Sequence, residues 1–406
     1  MKSSLVQVAL LATLWECLSL LPLILSIPGV ADSLTENAPP LPILQVPTPP
    51  LESPPFTPSD MKSKKIGYFW TGSGDKFHRD FLATYSLDDD AFGTLLWLTD
   101  VLSSGNDPHY LGPSLDGKTI VRGGLLLLVK TQKSNRSLLS SIADEIRAKP
   151  DGGFYITYMS SAVGTSPGRL VEIDTDFTII HEWPEDVEGA LNILSEQFSP
   201  HGVSIDWERK FILTSDFVEP ISILKPSTGI RCGNALRLWD LDSKKSLILS
   251  LFLTTQGGGT QDVKSIPGNP DGAALATAAH LGQIWIVYPG QKDAKGKRGR
   301  AELLYNLDPK ARDTTAIYTD IIQDGRFIYL TLTTANHIAA LDISDLNNVK
   351  HLDNPDEDQP IAGPHYVKVT PDQKHLLITD YFVQMGDIGL INTPADCILF
   401  WTRMGA

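Results

Sequence analysis

Cysteine is scarce, with 3 residues in 406, so neither a disulfide scaffold nor a cysteine-rich zinc site can be built. Basic residues are also in short supply. Lys and Arg number 34 against 48 Asp and Glu, a formal net charge of −14, which argues against nucleic-acid binding, because that affinity comes from neutralising phosphates. What is present is a 42% hydrophobic complement with only 20% charged residues, enough for a sizeable core and incompatible with bulk disorder. Glycine (32) and proline (28) favour many turns over long helices.

Residues 1–31 read as a secretion signal. Met1-Lys2 precede an apolar run, and Gly29-Val30-Ala31 supplies small residues for cleavage after Ala31. Glu16, Pro22 and Pro28 interrupt the run, so stable membrane insertion is not expected. The expected location is extracellular, with a cytoplasmic chain as the alternative if the start is misassigned. Removing the signal takes Cys17 with it and leaves Cys232 and Cys397, at most one bridge. Asn135-Arg136-Ser137 is a glycosylation site if the chain is secreted. Residues 32–62 carry PP, PTPP and SPP and form an extended linker.

From residue 63 to 393 one pattern repeats: a polar turn centred on Asp, then a β-rich apolar run. The turn aspartates are Asp116, Asp151, Asp206, Asp271, Asp324 and Asp372, mostly about fifty residues apart, the period of a propeller blade. Each turn joins a first strand to a second, and further strands follow. The fold predicted is all-β, a seven-bladed β-propeller. Two stretches, 137–149 and 185–198, have helical spacing and read as excursions at blade edges. The interval from Asp116 to Asp151 is too short for a full blade, and residues 394–406 read as an unrelated tail, so the closing blade is expected to be incomplete.

Three histidines, His109, His201 and His365, each follow a proline at the start of a first strand. In a propeller that strand lines the central channel. His280 and His337 fall just past a second strand, which returns to the same face. All five can therefore converge at one end of the channel. Clustered imidazoles without cysteine suit a borderline transition metal: copper, iron or zinc. Asp216, Asp320 and Asp380 lie in a common phase and could fix the imidazole tautomers. His78, His181, His351 and His375 fall in outer strands or turn tips and read as solvated.

The segments RDFLATYSLD (79–88), DPHYLGPS (107–114), GRLVEIDTDFTIIHEWPE (168–185) and YTDIIQDGRFIYLTLTTANHIAALDISDLNNVKHL (318–352) resemble the selenium-binding protein family, which includes copper-dependent methanethiol oxidases. The resemblance implies a seven-bladed propeller that oxidises a small thiol with O2. It matches His109 to a family histidine, although Tyr110 replaces an adjacent one. The cysteine associated with selenium is missing after it, which puts selenium binding through that thiol in doubt. A further family histidine should fall within 137–150, and none does. PHGVSID and GPHYVKVTPDQKHLLITD also resemble lactonase propellers. A hydrolase and a non-catalytic binding propeller therefore remain open beside the oxidase.

Overall fold

The computed structural model describes residues 64–72, 79–101, 108–124, 140–161, 164–183, 197–224, 230–252, 258–292, 298–307, 315–354, 359, 361, 363–380 and 400–403. The signal, the Pro-rich linker, Asn135, Cys17, Cys397, His78 and nearly all of 185–198 lie outside them. All described residues belong to one compact unit, Pro50–Ala406.

Seven antiparallel sheets follow one another along the chain. The first holds β1 (Ile66–Thr71), β2 (Phe81–Ser86) and β3 (Leu95–Asp100), and the second β4 (Pro108–Pro113) and β5 (Ile120–Gly124). The third holds β6 (Ser140–Ala148), β7 (Phe154–Ser161), β8 (Arg169–Ile173) and β9 (Ile179–Trp183). The fourth holds β10 (Pro200–Asp206), β11 (Phe211–Asp216), β12 (Ala235–Asp240) and β13 (Ser246–Phe252). The fifth holds β14 (Thr260–Ser265), β15 (Ala274–Ala278), β16 (Gln283–Lys292) and β17 (Arg298–Asn306). The sixth holds β18 (Ala316–Ile321), β19 (Phe327–Leu332), β20 (His337–Asp342) and β21 (Lys350–His351), and the seventh β22 (Pro364–Val369), β23 (His375–Asp380) and β24 (Phe400–Arg403). One short α-helix, α1 (Pro220–Leu224), and one 3-10 turn, Ala279–Leu281, occur among the described residues. None of their helices is long and apolar enough to cross a membrane.

Strands β4, β6, β10, β14, β18 and β22 neighbour one another in succession, as inner strands of a propeller do. The core lies between blades rather than within one sheet. Leu275 and Ile284 of the fifth sheet, for example, pack with Ile328 and Leu330 of the sixth. The last sheet meets the first through side chains: Lys65 pairs with Asp372 at 2.7 Å, Lys374 with Asp89 at 2.9 Å, and Phe92 stacks on His375 at 4.1 Å.

Five of the six turn aspartates fall between the first and second strands of their sheets, and the sixth, Asp206, is the last residue of its first strand. Asp116, Asp151, Asp271 and Asp324 are each followed by a glycine at positive φ, the left-handed geometry such a turn needs and that glycine adopts without a steric penalty.

The structure corrects two expectations and agrees with a third. The stretch 137–149 is not helical; its described part is β6. A β-bulge between Ala143 and Ile146 breaks the two-residue alternation there and leaves three consecutive buried residues, which imitates helical spacing. The 394–406 segment is not a stray tail throughout, because Phe400–Arg403 pairs with β23 as the third strand of the last sheet. The expectation that the interval after Asp116 is too short for a full blade agrees with the second sheet, which has two strands among the described residues.

Candidate metal centre

The bulge in β6 recurs at the start of every inner strand from β4 to β22. Register shifts lie between Pro108 and Tyr110, Ala143 and Ile146, Pro200 and Val203, Thr260 and Val263, Ala316 and Thr319, and Pro364 and Tyr366. The first residue inside each shift is equivalent: His109, Asp144, His201, Gln261, Ile317 and His365, one from each of six blades. A bulge re-aims the side chain it contains, and here it brings most of the six together.

A hydroxyl on the second strand anchors the bulge in four blades. The amides of Glu145, Gly202, Asp262 and Tyr318 donate to Thr157, Ser215, Thr277 and Thr331 at 2.8–3.0 Å. Each hydroxyl then donates to the carbonyl of the next blade's equivalent position: Thr157 to His201 at 2.5 Å, Ser215 to Gln261, Thr277 to Ile317 at 3.5 Å, and Thr331 to His365 at 2.7 Å. Backbone groups that the bulge removes from the strand ladder are thereby satisfied, and each blade fixes the position of its neighbour's residue.

Asp144 is at the centre of the cluster. One carboxylate oxygen lies 2.8 Å from His109 Nε2 and 3.0 Å from His201 Nε2, and the other accepts the Tyr318 hydroxyl at 3.0 Å. The His365 ring is 5.6 Å from that of His109 and 5.1 Å from Tyr318. Gln261 Nε2 lies 3.2 Å from His201 Nε2. Asp144 is wholly buried, and the three imidazoles nearly so.

Burial by itself would push the Asp144 carboxyl up. His201, His109 and Tyr318 outweigh it and hold the group below the usual carboxylate range. Burial lowers the His201 imidazole, although Asp144 pulls the other way. Burial also places His365 well below its ordinary value, helped by His109 and His201. Burial, with Asp144 adding to it, keeps the Tyr318 phenol protonated. The cluster at neutral pH is therefore one carboxylate facing imidazoles, two of which are held neutral.

No family model matches the chain, and no curated protein matches it. Solved structures do. A hypothetical selenium-binding protein from Sulfolobus tokodaii superposes with a TM-score of 0.62 at 15% identity, over 79% of this chain and 83% of its own. The fold is a β-propeller. A putative 6-phosphogluconolactonase from Bacteroides fragilis (TM-score 0.48, 13% identity, 78% of this chain and 87% of its own) and a virginiamycin B lyase from Staphylococcus aureus (0.49, 14%, 77% and 95%) are more distant.

The donor set of this propeller fits a transition metal. The two His Nε2–Asp144 separations, 2.8 and 3.0 Å, are hydrogen-bond lengths, and ligands bonded at ~2.0–2.2 Å to a shared tetrahedral ion lie ~3.3–3.6 Å apart, so these groups would draw apart by a few tenths of an ångström to hold one. His109, Asp144 and His201 each offer one ligand atom, all within 4.8 Å of one another. Among the described residues His201 Nδ1 is buried with no hydrogen-bond partner.

The other sequence-predicted residues lie elsewhere. His280 is exposed at the rim, stacked on Phe217 at 5.7 Å, and Phe217 in turn packs on His201 at 5.1 Å. His337 pairs with Asp353 at 2.5 Å, and His351 holds the other oxygen of that carboxylate at 2.8 Å. His351 is thus engaged rather than solvated. His375 stacks on Phe92, and His181 stacks on Trp183 at 5.5 Å. Asp216 accepts from Ser199 N–H and Arg237, and Asp320 from Val369 N–H and Lys368, so Asp144 is the carboxylate that meets the histidines. The Asp380 side chain lies outside the described residues.

Sequence reasoning missed Asp144, Gln261 and Tyr318. A signal for Asp144 exists. It precedes its turn Asp151 by seven residues, as His109 precedes Asp116 and His365 precedes Asp372.

Proposed function

We propose that this propeller is a metal-dependent oxidase of a small thiol, related to the selenium-binding proteins and holding copper at His109, His201 and Asp144 with His365 alongside. The observation that carries the reading is the buried meeting of two imidazole Nε2 atoms on one carboxylate oxygen, at 2.8 and 3.0 Å. A bound copper would supply thiolate coordination and electron transfer to O2. The protein's own groups do the rest. Neutral imidazoles are ready to ligate without first losing a proton. Asp144 contributes the negative charge, and the Tyr318 hydroxyl orients it. Phe217 packs over His201 and limits water.

The overall reaction balances as methanethiol, O2 and water giving formaldehyde, hydrogen sulfide and hydrogen peroxide. The test is elemental analysis of the purified protein together with O2 uptake on methanethiol. About one equivalent of copper with matched sulfide and peroxide supports the reading. Less than ~0.2 equivalents of any transition metal sinks it. Iron in place of copper would follow from the carboxylate, since two histidines and one acid form the donor set of non-haem iron oxygenases.

One observation favours a second reading. Asp144 bonded to His109 and His201 is also an acid–base pair of the kind that serves hydrolysis. Turnover of a lactone panel without O2 uptake would select it.

A further inference from the structure

Three residues beyond the histidine ring along β6, and at the matching depth on β10 and β14, the channel holds a second feature. A cavity of ≈240 Å³ is lined by Arg147, Lys264, Ser204, Ser265, Ile205 and Trp207. It lies toward the turn ends of these strands, about 10 Å along the strand from Asp144. The thiol reading does not use it.

Its charges are arranged in two layers. Glu145 and Asp262 are wholly buried beneath it, and each carboxylate is committed. Glu145 accepts from Tyr110 at 3.2 Å, Lys264 at 2.7 Å, Arg147 and the Val203 amide. Asp262 accepts from Lys264 at 2.8 Å and from the Val263 amide, and from the Thr319 amide and hydroxyl at 2.8 and 2.7 Å. The cations reach further out: the Arg147 side chain is 30% exposed and Lys264 13%. Arg147 spends one N–H on the Val203 carbonyl and one on Glu145, so three of its five donors remain. Lys264 spends two of three. Ser204 and Ser265 face each other at 2.8 Å. One wall is Trp207, 36% exposed, and Ile205 adds apolar surface.

We infer that this cavity binds a small organic monocarboxylate, with its oxyanion on Arg147 and Lys264 and its flat or apolar body against Trp207. Two cations over two buried acids leave no net charge for a polyanion, so spare directional donors, rather than excess positive charge, hold the ligand. A single carboxylate can take a guanidinium fork and one ammonium N–H. The indole wall selects a ligand with an apolar body.

Calorimetry on the full-length protein tests this with four probes: benzoate, benzyl alcohol, benzylamine and inorganic phosphate. Benzoate is expected to bind saturably and at least about tenfold tighter than the neutral alcohol, the ratio expected for one charge-assisted hydrogen-bond pair. Trp207→Ala, outside the buried ion network, should weaken benzoate, and Arg147→Gln should abolish its advantage over the alcohol. Equal binding of benzoate and benzyl alcohol, tighter binding of phosphate, or unchanged benzoate affinity in Trp207→Ala overturns the inference. His365→Gln should leave benzoate binding intact, which separates this outcome from the fate of the oxidase reading.

Discussion

Replacing Thr331 by valine should destabilise the protein even though it adds apolar character to a buried site. Thr331 is wholly buried, and its hydroxyl takes the Tyr318 amide at 3.0 Å and gives its own proton to the His365 carbonyl at 2.7 Å. Valine keeps the shape and removes both bonds. A buried polar group that loses its partner costs about 1–3 kcal/mol, so two such groups with partial relaxation give a loss of about 2–4 kcal/mol. Serine keeps the hydroxyl and loses one methyl, worth about 1 kcal/mol with the small cavity included. The assay is the urea midpoint at constant slope for both variants, with hydrogen exchange at the Tyr318 amide as the local readout. Thr331→Val should fall below Thr331→Ser and exchange faster at residue 318. Metal retention should fall with it, since the His365 carbonyl is the strap's other end. Valine equal to or better than serine would refute the reasoning and reduce the hydroxyl straps to incidental contacts.

Two further outcomes follow from the same ring. Asp144→Asn keeps the side-chain volume but removes the charge and turns an amide toward two imidazole N–H groups; metal retention should drop by more than the roughly 10–100-fold typical of losing an outer partner, measured by competition with a chelator. Stability should also fall on mild acidification. His201 and His365 are depressed in the folded state, so below about pH 6.5 the unfolded chain binds more protons, and each group removes up to about 1.4 kcal/mol per pH unit until its folded value is reached. Denaturant midpoints between pH 8 and 5 should decline, and His365→Gln should flatten the slope by one proton. A flat profile in the unsubstituted protein would contradict the burial argument.

The blade pattern was readable because turns announce themselves. Asp followed by Gly before a β-branched run specifies both a backbone geometry and a strand boundary, and the four Asp-Gly turns, at Asp116, Asp151, Asp271 and Asp324, lie where that chemistry put them. His109, His201 and His365 were also readable, since proline at the start of a strand fixes where the next side chain enters the channel. Asp144 was missed despite its seven-residue offset from Asp151, because its bulge shifts the alternation of β6 and replaces the signature of a strand with that of a helix. His337 followed the same strand-parity rule as His280 and ended beside Asp353. Parity predicts which face a residue approaches, but not how far from the axis it stops. Closure of the ring rests on contacts between residues roughly three hundred positions apart, such as Lys65 with Asp372, and no local pattern encodes them.

The ring, with one residue from each of six blades, makes the channel resemble a combination lock. Around it the wheels read His109, Asp144, His201, Gln261, Ile317 and His365, and in four blades a hydroxyl strap holds the backbone whatever side chain sits in the bulge. Chemistry and architecture are consequently encoded at different positions, so a donor can be gained or lost by a single codon while the frame stays put. Ile317 is the blank wheel, buried and apolar among polar neighbours. A lineage carrying this frame could pass from metal to metal, or from catalyst to inert scaffold, by turning one wheel at a time.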